Sequence, residues 1–267
     1  MGDNDSVKKT LFVAIGLCLL CSIFVSLAAV KLKDKQNENV SLDIKKNMLM
    51  ASGLIKDSHA SKEDILSAYT KITPVMVDLA SGEILKDVTL QQIESFNSNA
   101  QAKDPELGKS IETSKDLAGI KQREKRSPVY LIKDENQQIE QIIFQVRGKG
   151  LWSTMYGFFA LDKDLNTIRG LTFYQHGETP GLGGEVDNPL WKALWPGKKL
   201  YNPKGEMSIE LIKGKASEGM PNFENKVDGL AGATITSRGV TNLVRYWLGL
   251  DGYGPFLEKI RQNGGRP

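Results

Sequence analysis

The chain has 267 residues, 40% of them hydrophobic and 25% charged, with a formal net charge of +3. That length allows one sizeable core domain with appendages, and the composition is ordinary for a soluble body. The small charge, with no Lys/Arg run carrying interleaved aromatics, excludes an argument for nucleic-acid binding.

Residues 1–9 form a polar N-terminal tail ending in Lys8-Lys9. Residues 10–30, an uncharged run of about 21 residues, are long enough to cross a bilayer as a helix. A signal peptide is the competing reading, since Ser26-Leu27-Ala28 faintly resembles a cleavage site. The apolar run exceeds the usual ~7–15 residues of such a segment, which favours an uncleaved anchor. The two cysteines, Cys18 and Cys21, both fall in this run. Their spacing suits redox or zinc chemistry, but in a lipid-facing helix they read as two small hydrophobes. The body is thus left without a disulfide or thiolate metal site, and His59 and His176 alone make no metal centre. Lys8 and Lys9 on one flank against Lys31, Lys33 and Lys35 on the other weakly favour a cytoplasmic body.

Residues 31–60 read as a stalk or linker, charged and Asn/Gln-rich at first, with Asn47 to Leu54 helical and apolar on one side. The soluble domain is expected over 61–267. Ser61-Lys62-Glu63-Asp64 before Ile65, Leu66 and Tyr69 is a capping-type helix start. Val75 to Leu79, followed by Ser81-Gly82-Glu83, reads as a strand and turn. Residues 86–126 are polar. The four cations between Lys121 and Arg126 read as a solvated surface, with a docking patch as the rival.

From Val129 the pattern turns to β. Stretches 129–133, 139–146, 156–161 and 168–174 are separated by polar turns, which predicts an antiparallel sheet. A glycine-rich loop, Tyr174 to Gly184, follows directly. There His176 and Glu178 form either an acid/base pair or a satisfied turn network, and Pro180-Gly181 makes a turn. Asp187-Asn188-Pro189 then starts a short apolar helix ending before Pro196-Gly197. The run from Asp228 to Arg238 is a tight loop feeding a helix marked by Val240, Leu243, Val244, Trp247 and Leu248. Such a helix N-terminus suits an anion, although a plain turn and N-cap is the bland alternative. Gly249 to Pro255 ends that helix, and Leu257 and Ile260 mark a short last turn. The whole reads as α+β: one N-terminal transmembrane helix, then a mostly antiparallel sheet with flanking helices.

Three elements carry a resemblance. Asp228, Gly232, Ala233 and Thr234 match Asp-x-x-(Ser/Thr)-Gly-Ala-Thr, with Ala231 standing where Ser or Thr is usual. His176 to Gly183 matches His-x-Glu-Thr-Pro-Gly-Leu-Gly, and Gly148 to Trp152 matches Gly-Lys-Gly-Leu-Trp. In this order they resemble the FMN-binding domain family shared by the Na+-translocating NADH:quinone oxidoreductase and the related Rnf complex. The resemblance covers about 120–250, and the long stalk favours the Na+ pump over the G subunit of Rnf. It implies FMN held covalently on Thr234 through a phosphoester. It implies that the loop with Glu178, Thr179, Leu182 and Gly183 surrounds the flavin ring, with Trp152 nearby. Trp152 as a plain core aromatic is the rival. Asp228 would serve recognition by the modifying enzyme, or cap the turn. Thr236 is a second possible acceptor.

No Ser/His/Asp or Cys/His machinery is present to activate Thr234. The resemblance accordingly implies a separate Mg2+-dependent FAD:protein FMN transferase, with AMP leaving. It further implies a body on the periplasmic face of a bacterial inner membrane, with the A, B, D, E and F subunits of the pump as partners. Electrons would come from NADH through the F subunit and an iron–sulfur centre. They would pass onward to the FMN of the B subunit, riboflavin and ubiquinone. No NADH or quinone site of its own is expected. A non-redox membrane-anchored assembly module is the other class of function.

Overall fold

The computed structural model describes residues 6–57 and 59–265. Residues 1–5 of the expected tail lie outside them. Helix α1 runs unbroken over Val7–Ser52 and includes a stretch long and apolar enough to cross a membrane. The chain divides between Ile44 and Lys45 into two compact units.

The N-terminal unit is the helical stretch before Lys45, exposed along residues 6–41. The apolar run therefore does not end its helix at residue 30, because the charged stretch after it includes good helix formers, among them Leu32, Gln36, Glu38, Leu42 and its lysines.

The body begins at Lys45, earlier than residue 61. Asn47, Met48, Leu49, Ala51 and Ser52 are buried in it, so this end of the expected stalk is core and not linker. Helix α2 (Lys62–Tyr69) starts in a full capping box between Ser61 and Asp64. Strands β1 (Ile72–Asp78) and β2 (Ile84–Leu85) follow, then α3 (Leu90–Glu94), α4 (Ser98–Lys103) and the ribbon β3 (Gly108–Ser110) with β4 (Gln122–Glu124). Next come β5 (Arg126–Lys133), β6 (Ile139–Lys149), β7 (Thr154–Asp162) and β8 (Ile168–Gln175). Short α5 (Pro189–Lys192) precedes the parallel pair β9 (Glu210–Ile212) and β10 (Lys226–Asp228). Helices α6 (Thr234–Leu248) and α7 (Gly254–Gln262) close the chain, the last being longer than the single turn expected.

The main sheet has order β2-β1-β5-β6-β7-β8, every pair antiparallel. Alternation of side chains gives it two buried faces. Ile142, Phe144 and Val146 on β6 share a core with Val240, Leu243, Val244 and Trp247 of α6 and Phe256, Leu257 and Ile260 of α7. Ile143, between them, is equally buried on the opposite face. That face is covered by the end of α1. The Thr172 hydroxyl donates to the Asn47 carbonyl at 2.8 Å. A Cβ at Gly170 would lie 2.6 Å from the Ala51 carbonyl oxygen, so only glycine admits this approach.

The cationic cluster at 121–126 is not a uniformly solvated surface. Arg123 and Glu124 are buried, and Arg147 reaches Glu124 from β6 at 2.6 Å. The Arg147 carbonyl accepts the Trp247 indole N–H at 2.7 Å. A buried ion pair thus ties the β3–β4 ribbon to β6, and Trp247 ties β6 to α6. This fixes α6, and with it Thr234, against the sheet.

Candidate functional site

Three sequence-distant segments meet at the N-terminus of α6. The first is the β6–β7 turn. Gly148 packs on α6, where an added Cβ would lie 2.8 Å from Leu243 Cβ. Gly239 on α6 faces back, its Cβ position 2.4 Å from the Lys149 carbonyl. The second is the loop after β8, folded on itself by Leu182 and Gly184 N–H groups donating to the Thr179 carbonyl. Gly181 takes φ +76° in that turn, a conformation cheap only for glycine. The third is the loop from Asp228 into α6.

Glu178 joins them. Its carboxylate accepts the backbone N–H of Leu151 at 3.1 Å, Trp152 at 2.9 Å and Ser153 at 3.2 Å. The Thr236 hydroxyl donates to it at 2.6 Å. Burial pushes this carboxyl up, but the Thr236 hydroxyl and three backbone donors outweigh it and hold it below the usual glutamate range. Glycines 150 and 183 make room for it, each with a Cβ position within 2.8 Å of its oxygens. Gly150→Ala is therefore expected to cost about 1–3 kcal/mol by overpacking. A chemical-denaturation midpoint unchanged from the parent would refute this.

The acid/base pairing of His176 with Glu178 does not form. His176 Nε2 faces Asp187 Oδ2 at 2.7 Å, and its Nδ1 accepts the Glu178 backbone N–H at 3.2 Å. Asp187 raises the imidazole pKa against the opposing effect of burial. Burial would raise the Asp187 carboxyl, yet His176 and Lys192 hold it low. His176 is a turn-ordering residue, the network reading of the sequence, and its real partner stands eleven residues on.

Thr234 is the first residue of α6, exposed, and its hydroxyl makes no hydrogen bond among the described residues. The N-cap is Ala233, without a side-chain bond, so this Thr is not a cap. Thr236 is 1% exposed and committed to Glu178. Gly232 has φ +71°, and a Cβ there would lie 2.9 Å from Leu182 Cδ2, so the second and third segments touch at this point. Asp228 accepts the Ala216 N–H at 2.8 Å, ordering the loop between β9 and β10. Ser237, not singled out in the sequence, anchors the third loop by accepting the Leu230 N–H at 2.9 Å. Ser153 does the same for Gly177 at 2.6 Å.

Trp152 is 66% exposed, which excludes it from the core. With Leu151, Leu182 and Ile235 it contributes exposed apolar surface on the segments that meet at Glu178. Thr234 also lines a cleft of about 950 Å³ shared with Trp191, Lys213, Lys215 and Arg238. The departing Ala231 is exposed on the same cleft, so alanine there removes no buried hydrogen bond. Apolar surface, glycine approach and a free hydroxyl at a helix N-terminus fit an aromatic group carrying a phosphate. Among the described residues, no cluster of acidic, His or Cys side chains could hold a metal.

Fold and site together define a protein of the FMN-binding domain class, and the sequence profile of that domain matches residues 150–249. The similarity extends further along the chain. It is 43% identical over 260 residues to the C subunit of the Na(+)-translocating NADH-quinone reductase of Yersinia pestis, covering 97% of this chain and 95% of that one. The C subunit of the Pseudomonas aeruginosa enzyme is 45% identical, over 98% of this chain and 99% of its own. A crystal structure of Shewanella oneidensis NqrC superposes with a TM-score of 0.74 at 30% identity, covering 84% of this chain and 99% of that one. The chain belongs to the NqrC family, the C subunits of the Na+-translocating NADH-quinone reductase.

Proposed function

We propose that this chain carries FMN on Thr234 and relays electrons within a Na+-pumping NADH:ubiquinone oxidoreductase. The observation that carries this reading is the free, exposed hydroxyl of Thr234 where three family motifs converge. Bound FMN supplies one- and two-electron chemistry, and the protein supplies its position and surroundings. Thr234 is the tether. Gly232 and Ala233 let the attached group lie close to the backbone. Trp152, Thr179, Leu182 and Gly183 flank the ring, whereas Glu178 and His176 hold the segments that present them.

The attachment needs help from outside. A threonine hydroxyl stays protonated at neutral pH, and among the described residues no side chain is hydrogen-bonded to this one as a base. A FAD:protein FMN transferase is the natural agent: the pyrophosphate bond of FAD breaks, the FMN unit passes to the Thr234 oxygen through its phosphorus, AMP leaves and the hydroxyl proton is released to the transferase or solvent. The other partners are the A, B, D, E and F subunits of the pump. The apolar stretch of α1 anchors the chain in the bacterial inner membrane with the body on the periplasmic side. NADH and quinone are handled elsewhere in the complex.

The test is expression with and without the transferase, followed by denaturation and in-gel flavin fluorescence. Mass spectrometry of the 227–238 peptide locates the adduct. Transferase-dependent fluorescence with the mass on Thr234 is expected. No covalent flavin, with the transferase active on another target, would sink the reading.

A further inference from the structure

The cleft beside Thr234 carries charge that none of the three motifs accounts for. Four cations line it, Lys213, Lys215, Arg238 and Arg245, against three carboxylates, Glu185, Glu210 and Asp228. Each carboxylate is already engaged. Glu185 accepts from Asn188 at 2.7 Å, Glu210 pairs with Arg245 at 3.5 Å, and Asp228 accepts the Ala216 N–H at 2.8 Å. Lys213, Lys215 and Arg238 make no side-chain hydrogen bond or ion pair among the described residues. The lining therefore has a formal excess of one positive charge, four minus three. A phosphate ester there, singly charged as the Thr234 diester and carrying about 1.5–2 charges as free FMN, would offset that excess.

Arg238 stands four residues after Thr234 on α6, so the two side chains occupy one helix face, one turn apart. A phosphoryl group on Thr234 falls within reach of that guanidinium. Its planar fork of donors matches two phosphate oxygens at once. Lys213 and Lys215, on the loop after β9, line the same cleft and add to its positive field.

We infer that this cleft seats the phosphate of the flavin mononucleotide, with Arg238 as its principal counter-ion and Lys213 and Lys215 in support. The inference rests on the flavin reading above, but not on the covalent bond. It makes Arg238 a positioning residue that fixes the phosphate end, while the ring lies against other segments.

The test uses the full-length Thr234→Val chain in detergent, which cannot be modified at that residue. It is titrated to millimolar with FMN and, separately, with riboflavin, which has the same ring and no phosphate. FMN is expected to bind about tenfold more tightly at low salt, the scale of a charge-assisted bidentate contact. The preference should shrink as ionic strength rises. Adding Arg238→Gln should cut it to about twofold, and Arg238→Lys should restore part of it, because charge returns without the fork. Lys163→Gln, on the β7–β8 turn, serves as a control and should leave it intact. Equal binding of the two flavins, a preference indifferent to Arg238→Gln, or no binding would each overturn the inference. Thr234 is absent from these proteins, so the covalent attachment stands or falls separately, on the fluorescence and mass of the modified wild-type chain.

Discussion

Thr234→Val is expected to abolish covalent flavin on this chain, whereas Thr236→Val should leave it in place. The two threonines are two residues apart, yet the fold treats them oppositely. Thr234 is exposed at the first position of α6, and its hydroxyl is unbonded among the described residues. Thr236 is 1% exposed and gives its hydroxyl proton to Glu178 at 2.6 Å. To serve as acceptor, Thr236 would have to break a hydrogen bond to a charged group, worth about 1.5–3 kcal/mol, and swing out of the protein. In-gel fluorescence and intact mass of the two variants, co-expressed with the transferase, decide the matter. Flavin on Thr236 in the Thr234→Val protein would mean that the first turn of α6 opens readily. Thr236→Val should instead cost about 1–2 kcal/mol of stability through the lost bond, seen as a lowered thermal midpoint.

Glu178→Ala should have the largest effect on stability among single substitutions at the site, about 3–5 kcal/mol. The side chain is 5% exposed and satisfies three backbone N–H groups and one hydroxyl. Alanine leaves those donors facing a void bounded by Gly150 and Gly183. Glutamine keeps the volume but turns an N–H2 toward donors, so it should recover only part of the loss. The carboxyl is held below its ordinary value of 4.5 in the folded protein. Its stabilising contribution is therefore fully present above that value and lost as pH falls through the depressed folded value. Wild type should lose stability on acidification below about pH 4.5, and Glu178→Gln should lose less over the same window. Parallel pH profiles for the two proteins would show that Glu178 is not the ionised clamp described above.

Much of the architecture is legible in local pattern. Short apolar stretches separated by polar turns over residues 129–174 mark four strands of the main sheet, and the 3.6-residue spacing from Val240 to Leu248 marks α6. The helix signal comes from one buried face repeated along the element, whereas the strands, buried on both faces, show as short continuous apolar runs. The end of α1 is harder to read. Asn47 to Leu54 read as helical and apolar on one side at the end of a stalk, and it takes the approach to Gly170 and the Thr172 bond to Asn47 to show that Asn47 to Ser52 are core. Lys121 to Arg126 mislead in the same way. A charge run is normally solvated, but here Glu124 is buried with Arg147, a partner 23 residues away.

At the site, the residue types were readable and their partners were not. The motifs name Glu178, His176 and Thr234, because short patterns of glycine, proline and hydroxyl residues survive as strings. Composition also bars a metal-thiolate centre from the body, because both cysteines lie in the apolar run at residues 10–30. Which side chain meets which is another matter. That His176 turns to Asp187, that Glu178 clasps the 151–153 backbone, and that Thr236 is masked while Thr234 is free depend on β6, the β8 loop and α6 converging. Those contacts join residues up to 58 positions apart. No periodicity encodes such a separation, since hydrogen-bond partners across a fold are chosen by packing of the sheet against α6. Residue types and short strings limit the chemistry available to this chain; the meeting of three distant segments selects the hydroxyl that is open to it.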